Sequence, residues 1–418
     1  MSDSQSNPPM DIVVIGAGIA GVASALYLQR DNHRVTILDP RGVGEAASFG
    51  NAGTIAPTSC VPTARPDILK RVPKMLMDPT GPLKIRWSYL PRLTPWFIDL
   101  IRNSSADKIL TNAQAKTALL NRAFEAYNEL ISESDTEELI VRNGILQIFE
   151  TDQAFQNMLR ERELQEACGH KVEILPGEAV RQMEPAFTST FKHAVYLENH
   201  ATIRNPGELT KRFASLLESK GGAFRQEAVT GLNRDGARWR VTTDNGVHVA
   251  DRVVVATGAW SREIAKMLGF RMLLDTERGY HVMVPQPDPE LRRPILLGDH
   301  SVFLVPMAEG MRVTSGVEFG GLNLPPDYRR IRAMVPFAKK VLPQLEEREM
   351  SAWMGFRPST PDTRPVLGEP AGAKGVFFAT GGSHVGMTLG PIMGKITADL
   401  VAGRETGLDL EIYKPDRW

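Results

Sequence analysis

Gly16, Gly18 and Gly21 stand in the run DIVVIGAGIAGVASALYLQRDNHRVTILD, where an apolar strand enters a glycine turn, a helix leaves it and a second strand ends on Asp39. This order describes a clamp for a dinucleotide. Gly16 lets the chain turn tightly, Gly18 lets the backbone approach a pyrophosphate, and Gly21 lets the helix pack on the sheet. Ile19 and Ala20 open that helix, whose N-terminal amides would face the diphosphate. Asp39 comes about 20 residues on, where an acid holds a ribose hydroxyl. A second glycine-rich run, FFATGGSHVGMTLGP at 377–391, repeats the order strand, loop and helix near the other end of the chain.

The chain that must position these motifs has 418 residues, 42% of them apolar and 23% charged. That is the composition of an ordinary globular protein with room for two domains. Its 49 Lys and Arg balance 49 Asp and Glu, which argues against general nucleic-acid binding but permits a local basic patch. Cys60 and Cys168 are the only cysteines, so neither a disulfide framework nor a metal site is expected, and a reducing, cytoplasmic setting follows. The polar, proline-bearing start lacks the basic and apolar regions of a signal peptide and is read as a tail over 1–9. No run of 18 apolar residues occurs, so no transmembrane helix is expected.

Ile109, Ala113, Leu120, Phe124, Tyr127 and Ile131 recur at helical spacing and predict one amphipathic helix. Further helices are expected at about 152–168 and from NPGELT to the stop at Gly221 and Gly222. Strands are read at 144–149, 194–203, 252–260, 279–285 and 301–317, and WRVTTDNGVHV reads as a hairpin with positive backbone dihedrals at Asn245 and Gly246. The nucleotide fold is thus reached at both ends and in the middle. It takes residues 10–64, 204–267 and 355–413, while 65–203 and 268–354 form a substrate domain inserted between visits.

GAGIAG with Asp39, SFGNAGTIAP at 48–57, VVVATGAW at 253–260, GFRPSTPDTRPVLG at 355–368 and the 377–391 run together resemble the FAD-dependent amine and amino-acid oxidoreductases. That family includes D-amino-acid oxidase, glycine oxidase, sarcosine oxidase and the D-amino-acid and D-hydroxyproline dehydrogenases of bacteria, which the chain resembles most. The resemblance runs from residue 10 to 413. It implies an α/β fold: a Rossmann-like FAD-binding domain of the glutathione-reductase type with an interleaved antiparallel-sheet α+β substrate domain. It also implies noncovalent FAD, since neither cysteine matches a covalent-linkage motif. The implied reaction oxidises a small-molecule substrate, an amino acid that is a D-amino acid or a proline-like one such as cis-4-hydroxy-D-proline, to the imino acid. Hydride would pass from Cα to flavin N5, and the electrons would go on to a quinone or another acceptor. A glycine- or sarcosine-type oxidase using oxygen, a FAD-carrying electron-transfer subunit and an NAD(P)-dependent Rossmann enzyme are the alternatives.

The same resemblance assigns residues. Arg357 in GFRPSTPD would bind the substrate carboxylate, which a planar guanidinium does through paired, charge-assisted hydrogen bonds. Tyr280 could turn its hydroxyl to the substrate or serve as an amphipathic aromatic at the sheet edge; His281, beside it, would face the other way. His384 sits in the glycine loop, where an imidazole could take the ammonium proton or be a satisfied loop histidine. The residues expected to touch the cofactor are the first clamp, Pro40, Ser48 toward the diphosphate, Asn51, Ala52 and Gly53 beside the flavin ring, Val229, Thr257 and Gly258. Gly381, Gly382, Ser383, Gly386, Met387 and Thr388 complete the set, with a helix starting near Thr388 that points its amide dipole at the ring.

Residues 65–102 carry eight cations against three aspartates, a net charge of +5, with Trp87, Tyr89, Trp96 and Phe97 among them. This is a candidate surface for peripheral contact with the inner face of an anionic membrane and its quinone. The alternative is a solvated cover of the substrate domain. Six prolines exclude one continuous helix there.

Overall fold

The computed structural model describes residues 8–63, 65–78, 81–187 and 191–418; of the tail expected over 1–9, residues 1–7 lie outside them. Among the described residues, Asp11–Ile15 is flanked by Arg34–Leu38 and Arg252–Val255 in a parallel sheet. Ala223–Arg225 and Val376–Thr380 extend that sheet, and antiparallel Val366–Gly368 ends it. All three visits predicted from the sequence contribute a strand.

Two long helices cover one face. Ile19–Arg30 and Gly386–Ala402 pack closely because glycines meet the partner backbone. A Cβ on Gly394 would fall 2.6 Å from Ser24 N, and one on Gly390 would fall 2.7 Å from Ile19 Cγ2. The amphipathic helix predicted over 109–131 is two helices, Ala106–Leu120 and Ala123–Ser134, separated by Asn121 and Arg122. Their buried faces continue one another, so the spacing persists across a break that it does not reveal. Tyr27 and Tyr127 tie these layers together by donating to Ala126 O at 2.9 Å and Met387 O at 2.6 Å.

The second large sheet has nine strands among the described residues, running from Ser351–Ser359 through Asp275–Val284, Gly310–Phe319 and Val302–Met307 to Ile145–Phe149 and its neighbours. Asp275–Val284 is buried along its whole length. Glu277 lies across from Arg357, and Tyr280 across from Ser315. Between the pairs Arg278 with Glu318 and Tyr280 with Ser315, Gly279 alone opposes Gly316 and Val317. This bulge places Gly316 at φ +70°, a conformation suited to glycine.

One smaller expectation changes. In the hairpin only Gly246 takes a positive φ; Asn245 does not, because its amide is held by Thr243 Oγ1 at 3.2 Å. As the prolines require, the described residues of 65–102 form no single continuous helix but two, Pro66–Met77 and Leu90–Arg102, with the short strand Leu83–Ile85 between them, although each helix runs through an internal proline. Trp96 is buried, donating to Ser359 O at 3.1 Å, while Trp87 is 71% and Met77 77% exposed.

Candidate active site

One cavity of about 650 Å³ runs between the two sheets. Its nucleotide end is built from backbone. Gly16 N donates to Leu38 O at 2.8 Å, with φ +108°, and a Cβ there would strike Ala256 O at 2.5 Å. Gly21 lets the helix seat on that turn, since its Cβ would fall 1.9 Å from Gly16 O. These two glycines stand behind the wall. Gly18, Ile19, Ala20, Asp39, Pro40, Ser48, Val229, Thr257 and Gly258 line it. Asp39 is already engaged by the amides of Ala17 at 2.9 Å and Arg41 at 2.8 Å. Ser48 Oγ accepts from Ile19 N at 3.0 Å and so caps the first turn of the clamp helix.

In the middle of the cavity, Asn51 and Ala52 face Gly381, Gly382, Ser383, Gly386 and Met387. The helix begins at Gly386, two residues before Thr388. Thr388 is off the wall: its hydroxyl donates to Thr54 O at 3.1 Å and accepts from Ala56 N at 3.0 Å. Gly53 is also off it, at φ +64° with a Cβ position only 2.5 Å from Ile203 O. The Gly50–Asn51 turn is held from behind by His281, which bonds Gly50 O at 3.1 Å, and by Arg312, whose Nη1 donates to Asn51 O. Burial and the Arg312 charge bring the His281 imidazole down to about 3, so it is neutral here.

The fit to FAD can be read from the glycines. A Cβ on Gly258 or Gly386 would meet no protein atom within 4 Å, and one on Gly18 would meet only Ser48 Oγ at 3.4 Å. Gly18 and Gly386 stand at the starts of helices that carry no acidic residue in their first turn, which suits an extended ligand with a diphosphate. The residues present fit the group.

The substrate end is built from side chains. Arg357 lies flat against Gly279, where a Cβ would sit 2.4 Å from its Cζ. Among the described residues its guanidinium makes one hydrogen bond, to Gly316 O at 3.3 Å, which leaves donors for an anion. Burial lowers its pKa, opposed by the charge of Glu277 across the strand pair. Glu277 is itself buried and bonds His384 Nε2. Burial pushes its carboxyl up, but His384 and Arg357 more than offset this, so it lies below the usual carboxylate range. His384, half exposed on the wall, is thus oriented by an ionised partner.

Tyr280 lines the cavity with its ring, while its hydroxyl points behind the wall, donating to Glu318 Oε1 at 3.0 Å and accepting from Asp327 N at 3.3 Å. Glu318 is also held by Arg278 at 3.2 Å and Arg86 at 3.1 Å. Arg357, Tyr280 and His384, singled out in the sequence, all line the cavity, whereas Glu277, Glu318 and Gly279 are not singled out there. The signal for Glu277 is its position two residues before a glycine in a strand facing GFRPS, and it becomes visible only once the strand pairing is known.

A family model described as FAD dependent oxidoreductase matches residues 11–400. The chain is 34% identical over 415 residues to a D-amino-acid oxidase of Bradyrhizobium diazoefficiens, covering 97% of this chain and 98% of that one. It is 30% identical to a D-amino acid dehydrogenase of Paramagnetospirillum magneticum, over 98% and 99% of the two chains. In fold it resembles glycine oxidase from Geobacillus kaustophilus, with TM-score 0.75 at 22% identity over 98% of this chain and 99% of that one. The L-proline dehydrogenase of P. horikoshii gives TM-score 0.75 at 20% identity, over 98% and 97%.

Proposed function

We propose that this chain, which belongs to the FAD dependent oxidoreductase family, oxidises the amine-bearing carbon of a D-amino acid and passes the electrons to an acceptor other than oxygen. It is a FAD-dependent amino-acid oxidoreductase; configuration and acceptor are the proposal. The observation that carries the reading is Arg357, a half-buried guanidinium with free donors at one end of a cavity whose other end is a nucleotide clamp. The D configuration rests on what the relatives at 34% and 30% identity are named for.

FAD, when bound, supplies the two-electron acceptor. The residues of this chain do the rest. Arg357 holds the substrate carboxylate and fixes its plane, so that Cα is presented in one orientation. His384, steadied by Glu277, stands at the wall where it can take the ammonium proton and leave a neutral amine. Tyr280 and Phe303 give that end an aromatic lining.

The preference for a membrane acceptor is supported by the basic segment. Met77, Trp87, Ile98 and Ile101 are exposed on or beside its two helices, among Lys70, Arg71 and Lys74. Among the described residues no helix is long and apolar enough to cross a membrane, so the contact would be peripheral. Replacing Lys70, Arg71 and Lys74 together by Gln is expected to weaken binding to anionic liposomes and leave turnover of a soluble dye unchanged. Unaltered liposome binding overturns the membrane reading.

The FAD-loaded protein should be offered D- and L-amino acids and prolines, once with a soluble dye under argon and once in air. Oxo or imino acid with the dye and little peroxide in air is expected from D substrates. Peroxide in step with product in air would instead make it an oxidase, and no product with any amino acid would overturn the reading.

A further inference from the structure

Behind the substrate end lies a satellite cavity of about 20 Å³, separated from the main one by Tyr280, Ser315, Gly316 and Val317, which line both. Its far wall carries Arg330, from the short helix Arg329–Arg332. The charges around Arg330 are already assigned. Glu318, 2% exposed, takes Arg278, Arg86 and the Tyr280 hydroxyl. Asp327 takes Lys84 at 2.9 Å and Arg329 at 2.8 Å. Arg330, half-buried, makes no ion pair or hydrogen bond among the described residues, and it feels Glu318, Asp327 and Asp78 only as nearby charges.

The wall between the two cavities is thin at one residue. Gly316 sits in the bulge with φ +70°, and the place of its missing Cβ is 3.1 Å from Pro82 O and 3.7 Å from Arg330 Nη2. On its other side the Gly316 carbonyl accepts from Arg357 Nη1 at 3.3 Å. Two guanidinium groups therefore flank one glycine, one placed for an α-carboxylate and one unpaired beyond it. A partly desolvated guanidinium without an anion is costly, and a second carboxylate is its natural complement. The satellite volume has room for about one small polar group.

We infer that Arg330 is a specificity residue that recognises a second carboxylate, so that the preferred substrates are acidic, dicarboxylic amino acids. The inference rests on the amino-acid reading of the cavity, and the test separates the two. Succinate and its monoamide should be titrated by calorimetry into the FAD-loaded protein, its Arg330→Met variant and an Arg329→Met control. Succinate should bind about ten- to hundredfold more tightly than the monoamide, as expected for one charge-assisted contact. Arg330→Met should abolish that ratio, and Arg329→Met should keep it. In turnover, aspartate and glutamate should exceed asparagine and glutamine in kcat/KM through KM, and only for Arg330-bearing protein. A ratio near one in the unaltered protein, or one that survives Arg330→Met, overturns the inference. If no amino acid is oxidised while the succinate ratio behaves as stated, the dicarboxylate site stands and the amine-oxidation reading falls.

Discussion

The two ends of the cavity are made of different material. At the nucleotide end the contacts are glycines, backbone amides and helix starts, and Asp39 is satisfied by the amides of Ala17 and Arg41. At the substrate end they are ionisable side chains: Arg357, Glu277, His384, Glu318, Arg278 and Arg330, brought together from five separate stretches of chain. A backbone site tolerates little change of shape but is indifferent to pH. A site of buried charge keeps its shape only while each partner keeps its charge. The two ends should therefore fail in different ways.

The largest failure is expected at the clamp. Gly21→Val would drive a side chain into Gly16 O, and the protein should purify without FAD and take up none on reconstitution; a normal flavin-to-protein absorbance ratio would contradict this. Next comes the substrate end. Arg357→Leu should raise KM by about ten- to hundredfold with FAD stoichiometry unchanged, and an unchanged KM would show that the carboxylate is held elsewhere.

A smaller and more telling effect is expected from acid. Because the Glu277 carboxyl lies below its ordinary 4.5 in the folded protein, its stabilisation is complete above that pH and is lost as pH falls through the lower folded value. Glu277→Gln should cost about 1–3 kcal/mol at pH 7 and make denaturant stability less steep in pH below 4.5. An unaltered slope would mean that Glu277 is not ionised as described. The smallest effect sharpens the contrast. Gly258 is at φ +54° with no protein atom near its Cβ position, so Gly258→Ala should cost the FAD-free protein only about 1 kcal/mol. Its FAD affinity should fall by more than that cost explains, since the methyl group would point into the ligand's space. Equal losses would place the cofactor away from this loop.

The same difference decides what the sequence discloses. The clamp is local: Gly16, Gly18, Gly21 and Asp39 lie within one strand, helix and strand, so their spacing alone names their roles. The break at Asn121 and Arg122 leaves no mark on the spacing, because both helices present one continuous buried face. The pairings of Glu277 with His384, and of Glu318 with Arg278 and Tyr280, join residues far apart in sequence through strand register and a bulge at Gly316. No periodicity records such a register. The substrate end was legible as single residues, Arg357, Tyr280 and His384, and illegible as a network. Even there, the Tyr280 hydroxyl points behind the wall, because Glu318 is a stronger acceptor than open cavity.

The central claim is that one cavity joins a bound flavin to an oriented amino acid. It is tested most directly by adding each enantiomer of a set of amino acids to the FAD-loaded protein without oxygen and following the flavin absorbance. D enantiomers should bleach the flavin and their mirror images leave it yellow. Contradiction would be a flavin that no amino acid bleaches although dithionite does, which would leave the clamp in place and remove the chemistry assigned to Arg357 and His384.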